Sequence, residues 1–347
     1  MRLQVAPCAD LEEYAQAFFA LGQYLAADPT RERVERLARN LPAERMLAAR
    51  EDGRIVGGAG SFPFQLTVPG SVVPAAGVTF VGTYPTHRRR GVLRSLMRAQ
   101  LDDLHERGES LACLWASEET IYGRFGYGLA SLNCSMKLPR DHAAYAQPFQ
   151  ARGRVTLVEA DEALQRFPSV WDAVRPLAPG MFTRAPDWWR YRVLFDPPDR
   201  REGASPKRLA LLELDGRDQG YAVYRHRPGW EDGVSTATLE VLEAVALDGR
   251  PTAEVWRYLL DIDWTAEITC FALPIDHPLL LLLAEPRRMR LRIGDGLWAR
   301  LVDVGAALSA RSYAVEGAIV LQIEDAFCPW NEGRWRVEPG AARRTRA

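Results

Sequence analysis

The strongest constraint on the fold is a strand that runs through a basic turn directly into a long helix, within residues 77–107. Residues 77–83 are rich in β-branched side chains, which favours a strand. In residues 91–107, apolar side chains recur at helical spacing and form one stripe. A buried strand follows at residues 111–116 and a final strand at residues 129–138. This order predicts a mixed α/β layer built around one strand–turn–helix crossover.

The turn between that strand and helix has the composition of an anion site. The first amides of a helix have no partner within it, and the helix dipole places positive charge there. Gly91 permits close approach of a ligand to the backbone, and Arg88, Arg89 and Arg90 add cationic side chains. These features predict a site for a pyrophosphate. The alternative is a basic surface turn that only caps the helix.

A second informative stretch is WASEETIYGRFGYG at residues 115–128, where a strand leads into a short helix that ends at Tyr122. With this stretch the sequence resembles the GCN5-related N-acetyltransferase (GNAT) superfamily, in which an R/Q-x-x-G-x-G/A turn holds the CoA pyrophosphate. Arg88 and Gly91 match that turn, and Leu93 departs from its last small residue. HRRRGVL and ASEETIYGRFGYG together resemble one subgroup, the Eis (enhanced intracellular survival) family.

The later part of the chain repeats the order of the first crossover. A strand at residues 239–247, a helix at 252–262 and a strand at 268–273 follow one another in the same sequence of elements. A smaller third unit begins near Arg290 and opens with a strand at residues 297–302. The pattern therefore predicts two copies of one fold and a short third unit.

The Eis resemblance implies the same plan, an α/β protein with tandem GNAT-like domains and a partial sterol-carrier-like domain. We expect a catalytic acetyl-CoA-binding domain at residues 1–140, a GNAT-like domain at 141–287 and the partial third domain at 288–347. The second copy is expected to be cofactor-free. Its turn, residues 246–253, lacks the tandem arginines, and Asp248 would repel phosphate.

The resemblance also implies that the chain transfers acetyl from acetyl-CoA to an amine without a metal. Tyr122 is the candidate general acid, since a phenol with a pKa of about 10 can protonate a thiolate. The alternative is a core tyrosine, and Tyr127 is expected to serve packing. A backbone amide near Val81 or Thr83 is the implied oxyanion donor. The residues implied to contact the cofactor are Val81, Thr83, Arg88, Arg89, Arg90, Gly91, Val92 and Leu93.

The sequence does not identify the general base. In the Eis family the carboxylate of the chain terminus is thought to accept the amine proton, whereas this chain stops at Ala347, before that family's usual end. Either the chain is truncated or it uses another base. Glu118 and Glu119 beside the tyrosine helix could serve through a water, although a helix-capping role is the simpler interpretation. His87 is a further candidate base by residue type, but as a loop histidine it is expected to pack against the end of the strand.

The substrate expectation also comes from the resemblance. Eis family members acetylate amines of aminoglycosides and lysine side chains, so a cationic polyamine is implied. Candidate anchors on the N-terminal helices are Asp28, Glu32 and Glu35, with Glu118 near the tyrosine; solvated helix acids are the alternative. The family is typically hexameric, so a homo-oligomer is expected.

Composition limits the other classes of function. With 44 basic and 45 acidic residues the net charge is -1, which gives no electrostatic reason to expect nucleic acid or an anionic membrane as partner. Five cysteines lie far apart without metal-ligand spacing, which favours a reducing cytoplasm. No apolar run reaches the roughly 20 residues that cross a bilayer. Two other functions stay open, a CoA-binding sensor or scaffold without amine turnover and a lipid carrier.

Overall fold

The structure, a computed structural model, describes residues 3–25 and 30–345. The chain divides into two compact units that interleave along the sequence. The first comprises Met1–Ala130, Ala178–Asp187 and Leu297–Ala347, and the second comprises Ser131–Leu177 and Trp188–Gly296. Each unit is therefore completed by segments that are distant in the chain.

Helices occur in both units. Two of them, α3 and α7, follow long strands closely and form the two crossovers. The α-helices are α1 (Leu11–Leu25), α2 (Arg31–Ala38), α3 (Val92–Glu106), α4 (Glu119–Tyr122), α5 (Ala160–Val174), α6 (Pro186–Trp188), α7 (Gly249–Asp261), α8 (Leu279–Leu282) and α9 (Val304–Ala310).

In the described part of the chain, strands form two seven-stranded sheets, a three-stranded sheet and a two-stranded hairpin. Up to the end of the first crossover they are β1 (Leu3–Pro7), β2 (Met46–Glu51), β3 (Arg54–Val68), β4 (Ser71–Thr83) and β5 (Leu111–Trp115). The next are β6 (Gly128–Leu129), β7 (Leu132–Pro139), β8 (Arg154–Leu157), β9 (Arg208–Leu214), β10 (Arg217–Arg227), β11 (Trp230–Glu231) and β12 (Val234–Ser235). The last are β13 (Thr238–Ala246), β14 (Glu267–Leu273), β15 (Arg292–Asp295), β16 (Leu297–Leu301), β17 (Ile319–Ile323), β18 (Gly333–Glu338) and β19 (Ala341–Thr345).

The first sheet contains the predicted crossover. Its strand order is β1-β2-β3-β4-β5-β16-β6. Strands β1 to β4 pair antiparallel in turn, whereas β4 and β5 run parallel and are joined by α3. The predicted succession of strand, helix and strand is confirmed, and β4 begins already at Ser71 because the turn before it lies at Gly70.

Two strands lie in other sheets than expected. The strand predicted over residues 129–138 to close the first domain forms β7, which pairs with β14 and β15 in the second sheet. The strand predicted over residues 297–302 to open the third unit forms β16, which pairs with β5 and β6 in the first sheet. Pairing between distant strands depends on backbone register, which a local pattern does not reveal. The expected domain boundaries after residues 140 and 287 stay predictions.

Helix α1 lies directly over β3 and β4 because glycines leave room for it. A Cβ added at Gly58 or Gly82 would lie 2.3 or 2.6 Å from backbone atoms of α1. The Tyr24 hydroxyl donates a hydrogen bond to the Thr83 carbonyl at 2.8 Å, near the ends of α1 and β4. The close approach fixes α1 beside the end of β4, where the candidate site lies.

Helix α3 buries two sets of apolar residues in the first unit. Val92 and Leu96 belong to a cluster with residues of β2 and β3. Met97, Leu101 and Leu104 belong to a second cluster with residues of β4, β5 and the tyrosine motif. This division of one helical stripe anchors the helix start next to the strand that precedes it.

The second sheet repeats the plan of the first, with the order β15-β7-β14-β13-β10-β9-β8. Strands β9, β10 and β13 pair antiparallel, and β13 and β14 pair parallel through α7. The predicted second copy of the fold is confirmed. The last part of the chain forms the antiparallel sheet β17-β18-β19, with α9 before it, within the first unit.

Candidate functional site

Strand β4 is interrupted by a bulge near its end. Thr79 pairs with Gly60 and Gly82 pairs with Gly58, so β4 carries one residue more than β3 between these pairs. Phe80, within the bulge, has a φ of 54°, in the left-handed region that non-glycine residues rarely adopt. A bulge of this kind turns backbone groups away from the ladder, and strained residues of this kind cluster at functional sites.

The bulge opens onto a gap between β4 and β5. Their parallel pairing stops at Gly77 and Cys113, although both strands continue. Val81 lies beyond that point and in the bulge, and it has no ladder partner in the described residues. Thr83 is opposite Gly57 in the ladder. The Tyr84 amide donates to the Val56 carbonyl at 2.9 Å, and hydrogen-bonded pairs alternate along an antiparallel ladder, so the Thr83 amide points away from β3. The register therefore leaves the amides of both predicted oxyanion donors available, and their role stays a prediction.

The start of α3 is open. Gly91 is its N-terminal cap, with a φ of 83°, and no side chain caps the helix. The first turn contains no acidic residue. A Cβ added at Gly91 would meet no described atom within 4 Å. The first backbone amides of the helix thus have no capping side-chain acceptor, as an anion site requires.

The three arginines of the turn have different environments. Arg88 and Arg89 are exposed and have no hydrogen-bond or ion-pair partner among residues 3–25 and 30–345. Arg90 donates to Glu51 at 2.8 Å, and the His87 Nε2 atom lies 3.4 Å from the same carboxylate. Arg88 and Arg89 are available to an anion, whereas Arg90 and His87 are tied to the end of β2.

The residues after the glycine contribute backbone only. Val92 is buried, and the half-buried Leu93 packs against the cluster that contains Tyr122. Their side chains lie in the core, so their predicted contact with a pyrophosphate would be made through amides. Leu93, which departs from the small residue of the GNAT pattern, is accommodated by this packing.

Tyr122 ends α4 and is buried, with 7% of its surface exposed. It belongs to one cluster with residues of β4, β5 and α3. Burial raises the pKa of Tyr122, a hydrogen bond from Ser117 lowers it, and the charge of Glu118 raises it further, with a net rise above the ordinary value. The phenol is therefore held protonated at neutral pH, the state that a general acid needs.

Tyr127 packs against Tyr122. It is 3% exposed, its ring centroid lies 5.9 Å from that of Tyr122 in an edge-on arrangement, and burial raises its pKa. Its amide donates to the Tyr122 carbonyl at 3.3 Å. These contacts agree with the expected packing role of Tyr127.

The predicted substrate anchors on the N-terminal helices are exposed. Glu32 lies 3.6 Å from Arg36, and Glu35 accepts from Arg31 at 2.8 Å, both one turn apart on α2. Such pairs are typical of a solvated helix face. Asp28 lies outside the described residues.

The two glutamates beside the tyrosine helix differ in position. Glu118 is the N-terminal cap of α4 but makes no capping hydrogen bond with its side chain, and Glu119 lies in the first turn. Both are exposed. The charge of Glu118 contributes to the raised pKa of Tyr122, so the two residues interact electrostatically.

Three residues of the site were missed by sequence reasoning. Phe80 lies in the bulge, Ser117 lowers the pKa of the candidate acid, and Glu51 pairs with Arg90 of the turn. Ser117 stands inside the recognised motif, so its hydroxyl was a signal. The other two depend on strand register and on a tertiary contact, which leave no local signal.

In the part of the chain that the structure describes, no helix is long and apolar enough to cross a membrane. Among residues 3–25 and 30–345, no group of three or more His, Cys, Asp or Glu side chains could hold a metal ion. Within that part, each of the five cysteines is buried as a free thiol.

Comparison with protein families matches three parts of the chain. Residues 9–130 match an acetyltransferase (GNAT) domain, residues 180–301 match a second acetyltransferase (GNAT) domain, and residues 304–347 match a sterol carrier protein domain. The second match ends at β16, and the third begins at α9.

Curated relatives cover most of the chain. A protein of Streptomyces avermitilis named uncharacterized N-acetyltransferase is 43% identical over 296 residues, 85% of this chain and 72% of the relative. The N-acetyltransferase Eis of Mycobacterium tuberculosis is 35% identical over 298 residues, 83% of this chain and 70% of the relative.

Solved structures agree with these matches. Eis1 from Mycobacterium abscessus has a TM-score of 0.82 and 32% identity, and the alignment covers 99% of this chain and 85% of that one. A GCN5-related N-acetyltransferase from Anabaena variabilis has a TM-score of 0.83 at 21% identity, covering 100% and 86% of the two chains. The second likeness shows the fold alone.

Proposed function

Because the chain belongs to the Eis family of GNAT N-acetyltransferases, we propose that the site at the start of α3 transfers acetyl from acetyl-CoA to amines of a cationic polyamine. The observation that carries this proposal is an uncapped helix start at Gly91, joined through the packing of Leu93 to the cluster that contains the buried, protonated Tyr122. Acetyl-CoA brings a thioester, whose carbonyl carbon accepts the amine.

The basic turn holds the pyrophosphate in this proposal. The amides of Val92 and Leu93 donate to phosphate oxygens, and the side chains of Arg88 and Arg89 neutralise the phosphate charge. Open space around Gly91 supports this fit, since a side chain there would stand between the phosphates and the amides. Arg90 keeps its contact with Glu51 and shapes the turn.

The transfer itself uses two groups near the gap between β4 and β5. The amide of Val81 donates to the carbonyl oxygen as the amine nitrogen attacks and negative charge develops on that oxygen. The carbon–sulfur bond then breaks, and the Tyr122 hydroxyl gives its proton to the departing thiolate. The proton of the attacking amine passes to a carboxylate, for which Glu118 is our candidate. Exchange of protons with solvent then restores the carboxylate and the Tyr122 hydroxyl for the next turnover. The products are the acetylated amine and CoA with a free thiol.

The finer parts of the proposal rest on the Eis resemblance. We propose aminoglycoside amines or lysine side chains as substrates, a homo-hexamer as the assembly and the cytoplasm as the location, with no nucleic acid or membrane as partner. Light scattering on the purified chain would test the hexamer; a monomer at micromolar concentration would contradict it.

The central test is the release of free thiol from acetyl-CoA, with a panel of aminoglycosides and lysine peptides as acceptors. In Tyr122→Phe, kcat is expected to fall about 100-fold or more, because general acid catalysis contributes about 10²–10⁴-fold. Acetyl-CoA binding, measured by calorimetry, is expected to be unchanged.

Two outcomes would contradict the proposal. Full kcat in Tyr122→Phe would remove the tyrosine from the chemistry. Binding of acetyl-CoA without thiol release on any amine would favour the CoA-binding sensor or scaffold instead.

A further inference from the structure

The loop of residues 325–331 lies within the part of the chain that matches a sterol carrier protein, yet it contacts both halves of the candidate site. Phe327, 6% exposed, packs edge-on against Phe125 with ring centroids 5.2 Å apart. On its other side, the guanidinium carbons of Arg98 and Arg94 lie 4.2 and 5.4 Å from its ring centroid. One phenylalanine thus joins the turn after Tyr122 to helix α3.

A buried ion pair attaches the loop to the same turn. The Arg300 Nη2 atom donates to both carboxylate oxygens of Asp325 at 2.7 Å, and the two residues are 6% and 8% exposed. Asp325 also accepts from the Cys328 amide at 2.9 Å and from the Asn331 side chain at 3.0 Å. Burial raises the pKa of Asp325, but these hydrogen bonds lower it more, so the carboxylate stays ionised at neutral pH.

The guanidinium of Arg300 lies against the backbone of Gly126. A Cβ at Gly126 would stand 2.7 Å from the guanidinium carbon, and Gly126 has a φ of 83°, so the position requires glycine. The Gly126 amide donates to the Gly123 carbonyl at 3.0 Å and closes the turn that follows Tyr122. Arg300 therefore fills the space next to the turn that directly follows the candidate acid.

We propose that the loop of residues 325–331, through Asp325 and Arg300, positions Tyr122 for proton transfer. Asp325 and Arg300 are positioning residues, since they act through the Gly126 turn. The sterol-carrier-like segment is then a working part of the acetyltransferase site. This inference rests on the assignment of Tyr122 as the acid.

Asp325→Asn tests the proposal because it keeps the shape of the side chain and removes its charge. We expect kcat to fall on the order of tenfold to a hundredfold, as small displacements of a catalytic group have effects of this size. The KM for acetyl-CoA should stay within about twofold, since Arg88, Arg89 and the helix amides are untouched.

Glu109→Gln is the matched control. Glu109 forms another buried ion pair of the first unit, accepting from Arg45 at 2.7 and 2.8 Å, and this pair joins the segment after α3 to the segment before β2. The substitution leaves a buried arginine facing a neutral amide in the same way. A folded Glu109→Gln should keep the kcat of the parent protein.

A double-mutant cycle with Tyr122→Phe separates positioning from general loss of stability. If Asp325 acts through Tyr122, then Asp325→Asn should add no further loss of kcat in the Tyr122→Phe background. An additive loss, or a loss equal to that of Glu109→Gln, would overturn the inference. Full kcat in Tyr122→Phe alone would instead overturn the acid assignment, so the two failures are distinguishable.

If the double variant is too slow to assay, hydrogen–deuterium exchange tests whether Asp325 holds the turn that follows Tyr122. Exchange at the amides of residues 123–127 should rise in Asp325→Asn and stay unchanged in Glu109→Gln. Equal protection in both variants would contradict the proposal. If Asp325→Asn does not fold, Phe327→Leu takes its place in the same cycle, and a folded Phe327→Leu with unchanged kcat would overturn the inference.

Discussion

The two crossovers of this molecule share a backbone plan and differ in what stands at the helix start. In both, the strand before the helix carries one residue more than its antiparallel partner. In β4 the bulge contains Phe80 and Val81, and in β13 the extra residue is Leu242. In the first copy, α3 begins at Gly91 without a capping side chain. In the second, the Asp248 carboxylate accepts the Arg250 amide at 2.9 Å at the start of α7. The chain's own anion therefore occupies the place that a phosphate would need.

The copies also differ after the parallel strand. The first continues into the short helix that ends at Tyr122, whereas the second continues into α8, which consists of four leucines. The bulge and the early end of the parallel pairing are present in both copies. The same backbone scaffold therefore occurs twice, and the two copies differ in the side chains at the helix start and after the parallel strand.

The first prediction transfers the carboxylate at the helix start of the second copy to the first copy. Gly91→Asp places a negative charge at the start of α3, and we expect the KM for acetyl-CoA to rise on the order of 100-fold, since juxtaposed like charges cost several kcal/mol. Steady-state kinetics at varied acetyl-CoA would measure this change.

Gly91→Asn is the control for that variant. Asparagine matches aspartate in size and tolerates the left-handed backbone that Gly91 adopts, so it shows the effect of the side chain without the charge. The KM of Gly91→Asn should lie well below that of Gly91→Asp. Equal KM values would mean that space, and not charge, decides cofactor binding at this turn.

The second prediction concerns the tyrosine that only the first copy carries. An acid donates only while protonated, so kcat is full below the pKa of Tyr122 and falls as the pH rises through it. Burial raises that pKa above its ordinary value of about 10. The alkaline limb of kcat should therefore begin above about pH 10 and reach about tenfold per pH unit.

The measurement is kcat at saturating substrates from about pH 7 to about pH 11. Tyr122→Phe should retain a low rate without this limb. A limb that begins below about pH 9 and is the same in both proteins would assign it to another group.

The crossover could be predicted from the sequence because its signals are local. β-branched residues before the turn, the arginines with Gly91, and the apolar stripe of α3 each act over a few residues. The sheet membership of β7 and β16 could not, because each pairs with segments far away in the chain. Strand β1 at Leu3–Pro7 was also missed, since it is a short edge strand with mostly exposed residues.

The residues of the candidate site also divide into those with a local sequence signal and those without one. Tyr122 and Gly91 were found because a motif surrounds them. Arg300 and Asp325 were not, since their pairing joins residues 25 positions apart and is visible only from the contact between them. The role of Phe80 was not predicted because a bulge arises from the pairing of two strands. The sequence of either strand alone does not show where the pairing shifts.

The smallest expected effect tests whether the second copy is only structural. Asp248→Ala removes the carboxylate that caps α7, which should lower the stability of folding by about 1 kcal/mol, the usual cost of losing a capping side chain. It should not change the KM for acetyl-CoA or the number of acetyl-CoA molecules bound per chain, because the tandem arginines and the tyrosine are still missing from that copy. Thermal unfolding and calorimetric titration would measure the two quantities. A second acetyl-CoA bound by Asp248→Ala would show that one carboxylate alone had kept this copy free of cofactor, and that the inherited backbone is sufficient to bind it.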